Sequence, residues 1–350
     1  MRVAIEAAPL GLSSCGLARY TAELSTALAR VFPEDEFVLV SDQPFLMPNP
    51  CPPNLTRGGG PRNAAERRWW LWGLGREAAR QGADVVHGPD FAVPYIPRRP
   101  SVLTLHDLSP WIEPFQNYTS ERIRRRTPVL LELGAATMVV TDSEAVRRQA
   151  LDRFRLKPDR IVAVPLAAAA HFRPVEAPPQ PAYFLYVGAI EPRKNLPTLL
   201  DAWRAVRRRY AIDLVLAGKV RIDASRLREE PGVRILGEVP DERLPELYSG
   251  AVAFVFPSLY EGFGLPVLEA MQCGACVIAS RAVMEAGGDA AVYADTAEEI
   301  ARAMQTALEM PVWVSERREK SLARAAEFSW ERTARLTYCV YREALHRFAN

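Results

Sequence analysis

Ala167-Ala168-Ala169-Ala170-His171-Phe172-Arg173-Pro174-Val175-Glu176-Ala177-Pro178-Pro179-Gln180-Pro181 interrupts the chain near its middle, and the apolar run Tyr183-Phe184-Leu185-Tyr186-Val187 comes directly after it. Prolines at this density can neither extend a helix nor sit inside a sheet, so the stretch reads as a linker. On both sides of it, short apolar runs alternate with longer helical patterns. Upstream the strand-like runs are Val3–Ala7, Phe37–Val40, Asp84–Val86, Val102–Leu105, Met138–Val140 and Ile161–Val164. Helical patterns cover Gly16–Arg30, Ala65–Gln81, Ser120–Ala135 and Ser143–Phe154, with Pro128 placed to kink or restart the third. Downstream, strands are expected at Tyr183–Val187, Leu214–Ala217, Val233–Leu236, Val252–Phe256 and Cys276–Ala279. Helices are expected at Leu196–Arg209, Asp241–Ser249, Leu265–Cys273, Ala297–Leu308, Ser315–Ala326 and Trp330–His346. Strands alternating with helices give parallel sheets covered on both faces. The fold class is therefore α/β, with two Rossmann-like doubly wound domains, whose ligands bind outside the carboxyl ends of the strands. Two such domains would face a central cleft.

Composition sets limits on function. The 350 residues suit two domains, and a net charge of +2 gives no sign of a nucleic-acid partner. Basic residues are almost all arginine, the lysines being Lys157, Lys194, Lys219 and Lys320. Five scattered cysteines, Cys15, Cys51, Cys273, Cys276 and Cys339, point to a reducing compartment without a disulfide framework. Cys273 and Cys276 form a lone CxxC in apolar surroundings, which reads as packing. Glu6 interrupts the first apolar run, so no signal peptide is expected, and no run is long enough to span a membrane. A cytoplasmic protein is expected, with Asn54-Leu55-Thr56 and Asn117-Tyr118-Thr119 as incidental sequons. Residues 42–62 read as a long mobile loop. Arg67-Arg68-Trp69-Trp70-Leu71-Trp72 reads as a helix packing tryptophans on a sheet, with peripheral membrane contact as the second reading. Arg122-Ile123-Arg124-Arg125-Arg126 reads as a solvated helix face.

Four motifs carry chemistry. In Phe256-Pro257-Ser258-Leu259-Tyr260-Glu261-Gly262-Phe263-Gly264-Leu265-Pro266-Val267-Leu268-Glu269, a strand gives way to a glycine-bearing loop and then a helix. Free N–H groups of Phe263, Gly264 and Leu265 at the helix start form an anion site. Gly262 and Gly264 allow close approach of a ligand, and Glu261 and Glu269 can accept hydrogen bonds from paired sugar hydroxyls. Phosphate-binding N–H groups beside hydroxyl-binding carboxylates suit a sugar nucleotide. Gly188-Ala189-Ile190-Glu191-Pro192-Arg193-Lys194-Asn195 lies past the carboxyl end of a strand, where Arg193 and Lys194 can neutralise a diphosphate; alone it could equally be a solvated turn. His106, in Leu105-His106-Asp107, ends a strand of the first half, and taken singly reads as a structural histidine. Cys15-Gly16-Leu17-Ala18-Arg19-Tyr20 is a glycine turn but not the dinucleotide fingerprint.

The segment Glu261–Glu269 resembles the two-glutamate motif of glycosyltransferase family 4, a retaining GT-B family. The resemblance continues through Val187–Asn195, Leu216-Ala217-Gly218-Lys219, Leu236-Gly237-Glu238-Val239, Glu269-Ala270-Met271 and Gly288-Asp289-Ala290-Ala291, covering nearly the whole chain. It implies an N-terminal acceptor-side domain at 1–172, a donor domain at 173–329, and a helix at 330–350 that crosses back to the first domain. It implies that Arg193 and Lys194 hold the donor diphosphate, that Glu269 binds the ribose, and that Glu261 lies beside the transferred sugar. The Phe263–Leu265 backbone would meet sugar and phosphate, His106 would lie near the donor sugar, and Gly16 would meet the phosphates. Ala18, Ala189 and Ala167-Ala168-Ala169 depart from the family's pattern, and the loop before Glu285 looks shortened. The expected reaction moves a hexosyl group from a nucleoside-diphosphate sugar to a saccharide or lipid-linked saccharide acceptor, as in cell-surface polysaccharide synthesis. Retention is expected, with no metal and no other cofactor, since no Asp-x-Asp triplet is present. The Pro192-Arg193-Lys194-Asn195 variant resembles mannosyltransferases and points to GDP-mannose. Acceptor recognition is assigned to residues 42–62 and 108–119. The competing readings are a non-catalytic sugar-nucleotide-binding subunit and a sugar-nucleotide epimerase of the same fold.

Overall fold

A computed structural model describes residues 1–12, 16–115, 120–178, 180–223 and 225–349. Cys15, the second sequon, the end of the 108–119 segment and Pro179 lie outside them. The chain divides into two compact units, Met1–Leu166 with Ser329–Asn350, and Ala167–Phe328. The passage falls after Leu166 because Ala167–Phe172 packs with the second unit: the Gln272 side chain donates to the carbonyls of Ala169 and Phe172 at 2.9 and 2.7 Å.

The first unit holds a parallel sheet of β1 (Arg2–Glu6), β2 (Glu36–Val40), β3 (Leu55–Arg57), β4 (Val85–Gly88), β5 (Ser101–Leu105), β6 (Met138–Thr141) and β7 (Ile161–Ala163). Their spatial order is β3-β2-β1-β4-β5-β6-β7. Order reverses between β1 and β4, the position at which such sheets bind ligands. Every residue of β4 and β5 is buried, so neither strand alternates buried with exposed positions, and their polar side chains His87, Ser101 and Thr104 are hydrogen-bonded inside. Helices α1 (Gly16–Val31), α2 (Leu74–Arg80), α3 (Glu121–Glu132), α4 (Glu144–Phe154) and α12 (Trp330–Ala349) belong to this unit. On α12, Tyr341 bonds to His87 Nδ1 of β4 at 2.7 Å, and Thr333 donates to the Pro165 carbonyl.

The structure departs from three expectations in this unit. Residues 42–62 are not structureless: β3 pairs with β2 in the register Phe37↔Leu55. The chain beyond it is tied down by two carboxylates, Gly59 N donating to Glu77 and Arg62 N to Glu66. Pro128 does not restart α3, which continues through it as one helix. The basic run is not wholly solvated: Arg126 is 8% exposed, and its guanidinium lies 4.6 Å over the Trp70 ring. The tryptophan segment forms a π-helical turn, Trp69–Gly73, leading into α2; Trp69 is buried among Ala4, Val38, Val40 and Val86, and Trp70 packs against that cluster.

The second unit holds β8 (Tyr183–Val187), β9 (Asp213–Ala217), β10 (Val233–Gly237), β11 (Ala253–Phe256), β12 (Val277–Ala279) and β13 (Val292–Tyr293), all parallel, in the order β10-β9-β8-β11-β12-β13. Its switch point lies between β8 and β11. Helices α5 (Leu196–Arg207), α6 (Ser225–Glu229), α7 (Leu244–Gly250), α8 (Leu265–Gln272), α9 (Met284–Gly287), α10 (Ala297–Glu309) and α11 (Pro311–Ala325) complete it. Cys273 and Cys276 are buried, and burial pushes their thiols up to about 12 and about 11, the packing role expected of them. No helix among the described residues is long and apolar enough to cross a membrane.

Candidate functional site

The loops leaving β8 and β11 flank the switch point of the second unit, and their side chains interlock. After β8, a 3-10 turn at Pro192–Lys194 presents Arg193 and Lys194, and Asn195 in left-handed geometry (φ 56°) starts α5. After β11, the loop 257–264 leads into α8. Leu259 N donates to the Arg193 carbonyl at 2.9 Å, fastening one loop to the other. Lys194 Nζ donates to Glu261 Oε1 at 2.5 Å, and Ser258 Oγ donates to the same oxygen. Arg193 Nη1 reaches Glu261 Oε2 at 3.4 Å and the Tyr260 carbonyl at 2.9 Å, while Nη2 pairs with Glu191 at 3.1 Å. Arg221 also pairs with Glu191, at 3.0 Å. The cluster therefore sets three cations against two carboxylates and retains a net positive charge for an anionic ligand.

Burial shapes the charges. Lys194 is 7% exposed and lies 5.0 Å over the Phe256 ring. Burial lowers its ammonium below the ordinary value; attraction to Glu261 only partly restores it, and Arg193 lowers it further. Burial alone would raise Glu261, but Lys194 and Arg193 outweigh it and hold the carboxyl below the usual range, so it is ionised at neutral pH. The positive side of this site is thus held in place by an ionised glutamate before any ligand arrives.

Helix α8 begins beside this cluster. Its N-cap, Gly264, has φ +102°, and a Cβ there would come within 2.7 Å of Val283 Cγ1, so both conformation and space call for glycine. No side chain caps the helix, and the N–H groups of Phe263, Gly264 and Leu265 carry no hydrogen bond among the described residues. Such a helix start is a ready anion site. Glu269 lies on the same helix but is only 1% exposed, and its Oε2 accepts from Tyr248 OH at 3.2 Å. The two glutamates thus have separate partners, Glu261 the cations and Glu269 a tyrosine.

In the first unit, His106 follows β5 by one residue. Nδ1 lies 2.8 Å from Asp142 Oδ2, and Nε2 lies 2.6 Å from the Pro89 carbonyl. The Pro89 carbonyl accepts from Nε2–H, and with Asp142 ionised Nδ1–H donates to its carboxylate; burial raises the Asp142 carboxyl, and the charge of His106 draws it back in part. Burial alone would lower the pKa, but Asp142 outweighs it and raises His106 to about 9. Asp142, which stands alone in the sequence, is the partner that charges this ring. Gly16 opens α1; it is exposed, and a Cβ there would meet nothing within 4 Å, so packing does not require glycine at this position. Ser258, Glu191, Arg221, Tyr248 and Asp142 have no sequence signal of their own. Ser258 and Asp142 could have been sought only by position, the first three residues before Glu261, the second just past the strand next to that of His106.

Two doubly wound parallel-sheet units are the architecture of the GT-B glycosyltransferases. Residues 15–169 match the glycosyltransferase family 4 model and residues 181–310 the model for glycosyl transferases group 1. O-antigen chain mannosyltransferase B of Escherichia coli is 35% identical over 285 residues, covering 74% of each chain. Some other curated relatives are longer, and the chain spans 32% of one of them. Among solved structures, sucrose-phosphate synthase from Thermosynechococcus elongatus shares the fold with a TM-score of 0.77, at 21% identity and 98% coverage of each chain. HepE from Anabaena, in complex with UDP and glucose, shares it with a TM-score of 0.72, at 17% identity, over 98% of this chain and 100% of that one. The chain belongs to glycosyltransferase family 4 and is a glycosyltransferase.

Proposed function

We propose that the enzyme transfers a mannosyl group from GDP-mannose to a saccharide or lipid-linked saccharide acceptor, with retention at the anomeric carbon and without a metal ion. The observation that carries this reading is the interlocked Lys194–Glu261–Arg193 cluster beside the uncapped start of α8. A leaving diphosphate gains charge as the glycosidic bond breaks. Arg193, Lys194 and the N–H groups of Phe263, Gly264 and Leu265 supply stabilisation for that charge, already oriented. Gly262 lets the sugar approach the loop. Glu261 orients both cations and sits beside the anomeric centre, where positive charge develops. Glu269, held by Tyr248, takes the ribose. The His106 imidazolium serves as a fixed donor or positive charge near the donor sugar rather than as a base, and Gly16 meets the phosphates. The acceptor hydroxyl attacks from the face the diphosphate leaves, and the departing phosphate oxygen takes its proton.

Mannose as the transferred sugar rests on the similarity to a mannosyltransferase that covers most of both chains. The described cysteines are all unpaired thiols, which suits a reducing cytoplasmic setting. Exposed Arg67 and Arg68, with half-buried Trp72 nearby, suit contact with a membrane surface carrying a lipid-linked acceptor. The test is a donor panel read by thermal shift, followed by turnover with the best binder and NMR of the product's anomeric configuration. GDP-mannose should bind best and yield an α-linked product. Selective turnover of a different donor would refute the mannosyl assignment, and a β-linked product would refute retention.

A further inference from the structure

The start of α8 is backed by side chains that take no part in the proposed chemistry, and all of them belong to the second unit. On one side, α9 packs against Gly264: Val283 Cγ1 and Ala286 Cβ would lie 2.7 and 3.8 Å from a Cβ at that position. On the other, the buried Phe263 side chain meets the Phe328 ring edge to face, with centroids 5.8 Å apart and planes at 74°. Phe328 is the last residue of the unit.

One side chain holds both supports. Arg324, in the last turn of α11, donates from Nε to the Ala286 carbonyl at 3.1 Å and from Nη2 to the Glu285 carbonyl at 2.6 Å. The last carbonyls of a helix need donors from outside it, and the arginine fork supplies two to α9. The same guanidinium lies 4.7 Å over the Phe328 ring, and Nη1 pairs with Glu327 at 2.5 Å. Gly288 makes the room: its φ is +51°, and a Cβ there would lie 2.8 Å from Arg324 Nε. The stretch Gly288-Asp289-Ala290-Ala291, to which the donor chemistry gives no role, thus begins with the residue that admits Arg324.

We infer that Arg324 is a positioning residue of the donor site: through Phe328 on one side and α9 on the other, it holds the Phe263–Leu265 backbone in the orientation that meets a nucleoside diphosphate. The inference rests on the diphosphate reading of the α8 start. Backbone N–H groups donate along fixed directions, so a small rotation of this segment takes them off a phosphate oxygen. Arginine suits the task because its planar fork bridges two carbonyls while its face lies on a ring. A lysine would keep the charge but could not do both.

The test uses the full chain and compares Arg324→Met, Arg324→Lys and Phe328→Leu with a matched control. Arg207 lies 5.1 Å over Trp203, donates to the Ile212 carbonyl at 3.1 Å and is admitted by Gly232, so Arg207→Met removes the same kinds of contact elsewhere in the unit. The first readout is hydrogen exchange, without ligand, at the Val267 and Leu268 amides, which donate to the Gly264 carbonyl at 2.9 and 3.4 Å. It should quicken about tenfold or more in the three variants while the strands of the sheet keep their rates. The second is calorimetry with GDP and UDP: affinity for the nucleotide that the wild type binds should fall about tenfold in all three. Arg207→Met should leave both readouts as in the wild type. If Arg324→Met proves unfolded by its melting curve, the other two variants carry the test. Four outcomes overturn the proposal: unchanged exchange at Val267 and Leu268, wild-type nucleotide affinity in folded Arg324→Met or Phe328→Leu, full affinity in Arg324→Lys, or equal losses in Arg207→Met. Failure of the diphosphate reading looks different, because then the wild type binds neither nucleotide, and the exchange rates alone still decide whether Arg324 holds the helix start.

Discussion

Replacing Glu261 by glutamine removes one negative charge from a cluster of three cations and two carboxylates while keeping its size. Lys194 Nζ loses its anionic acceptor at 2.5 Å, and Arg193 loses the weaker one at 3.4 Å. Breaking a buried charge pair by removing one partner costs about 3–5 kcal/mol. The amide oxygen still accepts from Ser258 or Lys194, so the expected loss of stability is about 2–3 kcal/mol, measured by urea denaturation. The effect on ligand binding runs the other way. Lys194 and Arg193, relieved of an internal anion, should bind nucleoside diphosphate at least as well as in the wild type, which calorimetry can measure. Turnover should still fall, because the cations lose their orientation and the anomeric centre loses its carboxylate. A decrease in kcat of about 100-fold, roughly 3 kcal/mol, is expected at saturating donor. Glu269→Gln is the contrast: it should raise the donor KM and weaken nucleoside-diphosphate binding, with kcat little changed. Weaker diphosphate binding by Glu261→Gln than by Glu269→Gln, with kcat of Glu261→Gln near wild type, would refute the proposed roles of the two glutamates.

Gly264→Ala should destabilise the fold by about 1–3 kcal/mol and weaken donor binding, because the left-handed backbone and Val283 both oppose a Cβ; a melting curve and donor KM matching the wild type would contradict this. The His106 pKa is raised from 6.5 to about 9, so the His106–Asp142 pair contributes stability that is fully present below about pH 6.5 and is lost as pH rises through about 9. Unfolding free energy should fall by about 3 kcal/mol across that window, and Asp142→Asn should flatten the slope. Transfer activity should survive EDTA, and loss on chelation with rescue by Mg²⁺ or Mn²⁺ would show that the cations are not sufficient.

Strands such as β8 and β11 can be read from sequence because both faces of a parallel sheet are covered, which makes each strand an unbroken apolar run. β3 and β13, with three and two residues, are too short to show any period, and β3 sits among prolines and glycines that usually mark loops. The burial of Arg126 escapes the sequence for a related reason. A run of arginines on a helix predicts solvent, and only the approach of Trp70 from another element turns one of them inward. At the candidate site, residue types and loop positions are legible, but pairings are not. Lys194 and Glu261 meet across 67 residues of chain, and His106 and Asp142 across 36, through strands that become neighbours only on folding. That the His106 pKa is raised is set by those partners and not by its own surroundings in sequence.

Calorimetric titration of GDP and UDP into wild type and Lys194→Ala tests the proposed diphosphate site of the second unit most directly. Lys194 is a buried ammonium, so its loss removes a charge-assisted contact worth about 2 kcal/mol or more. The wild type should bind one of the two nucleoside diphosphates, and Lys194→Ala should bind it about 30-fold or more weakly while melting as a folded protein. Equal affinity in a folded Lys194→Ala variant, or no binding of either nucleotide by the wild type, would contradict the assignment of this site.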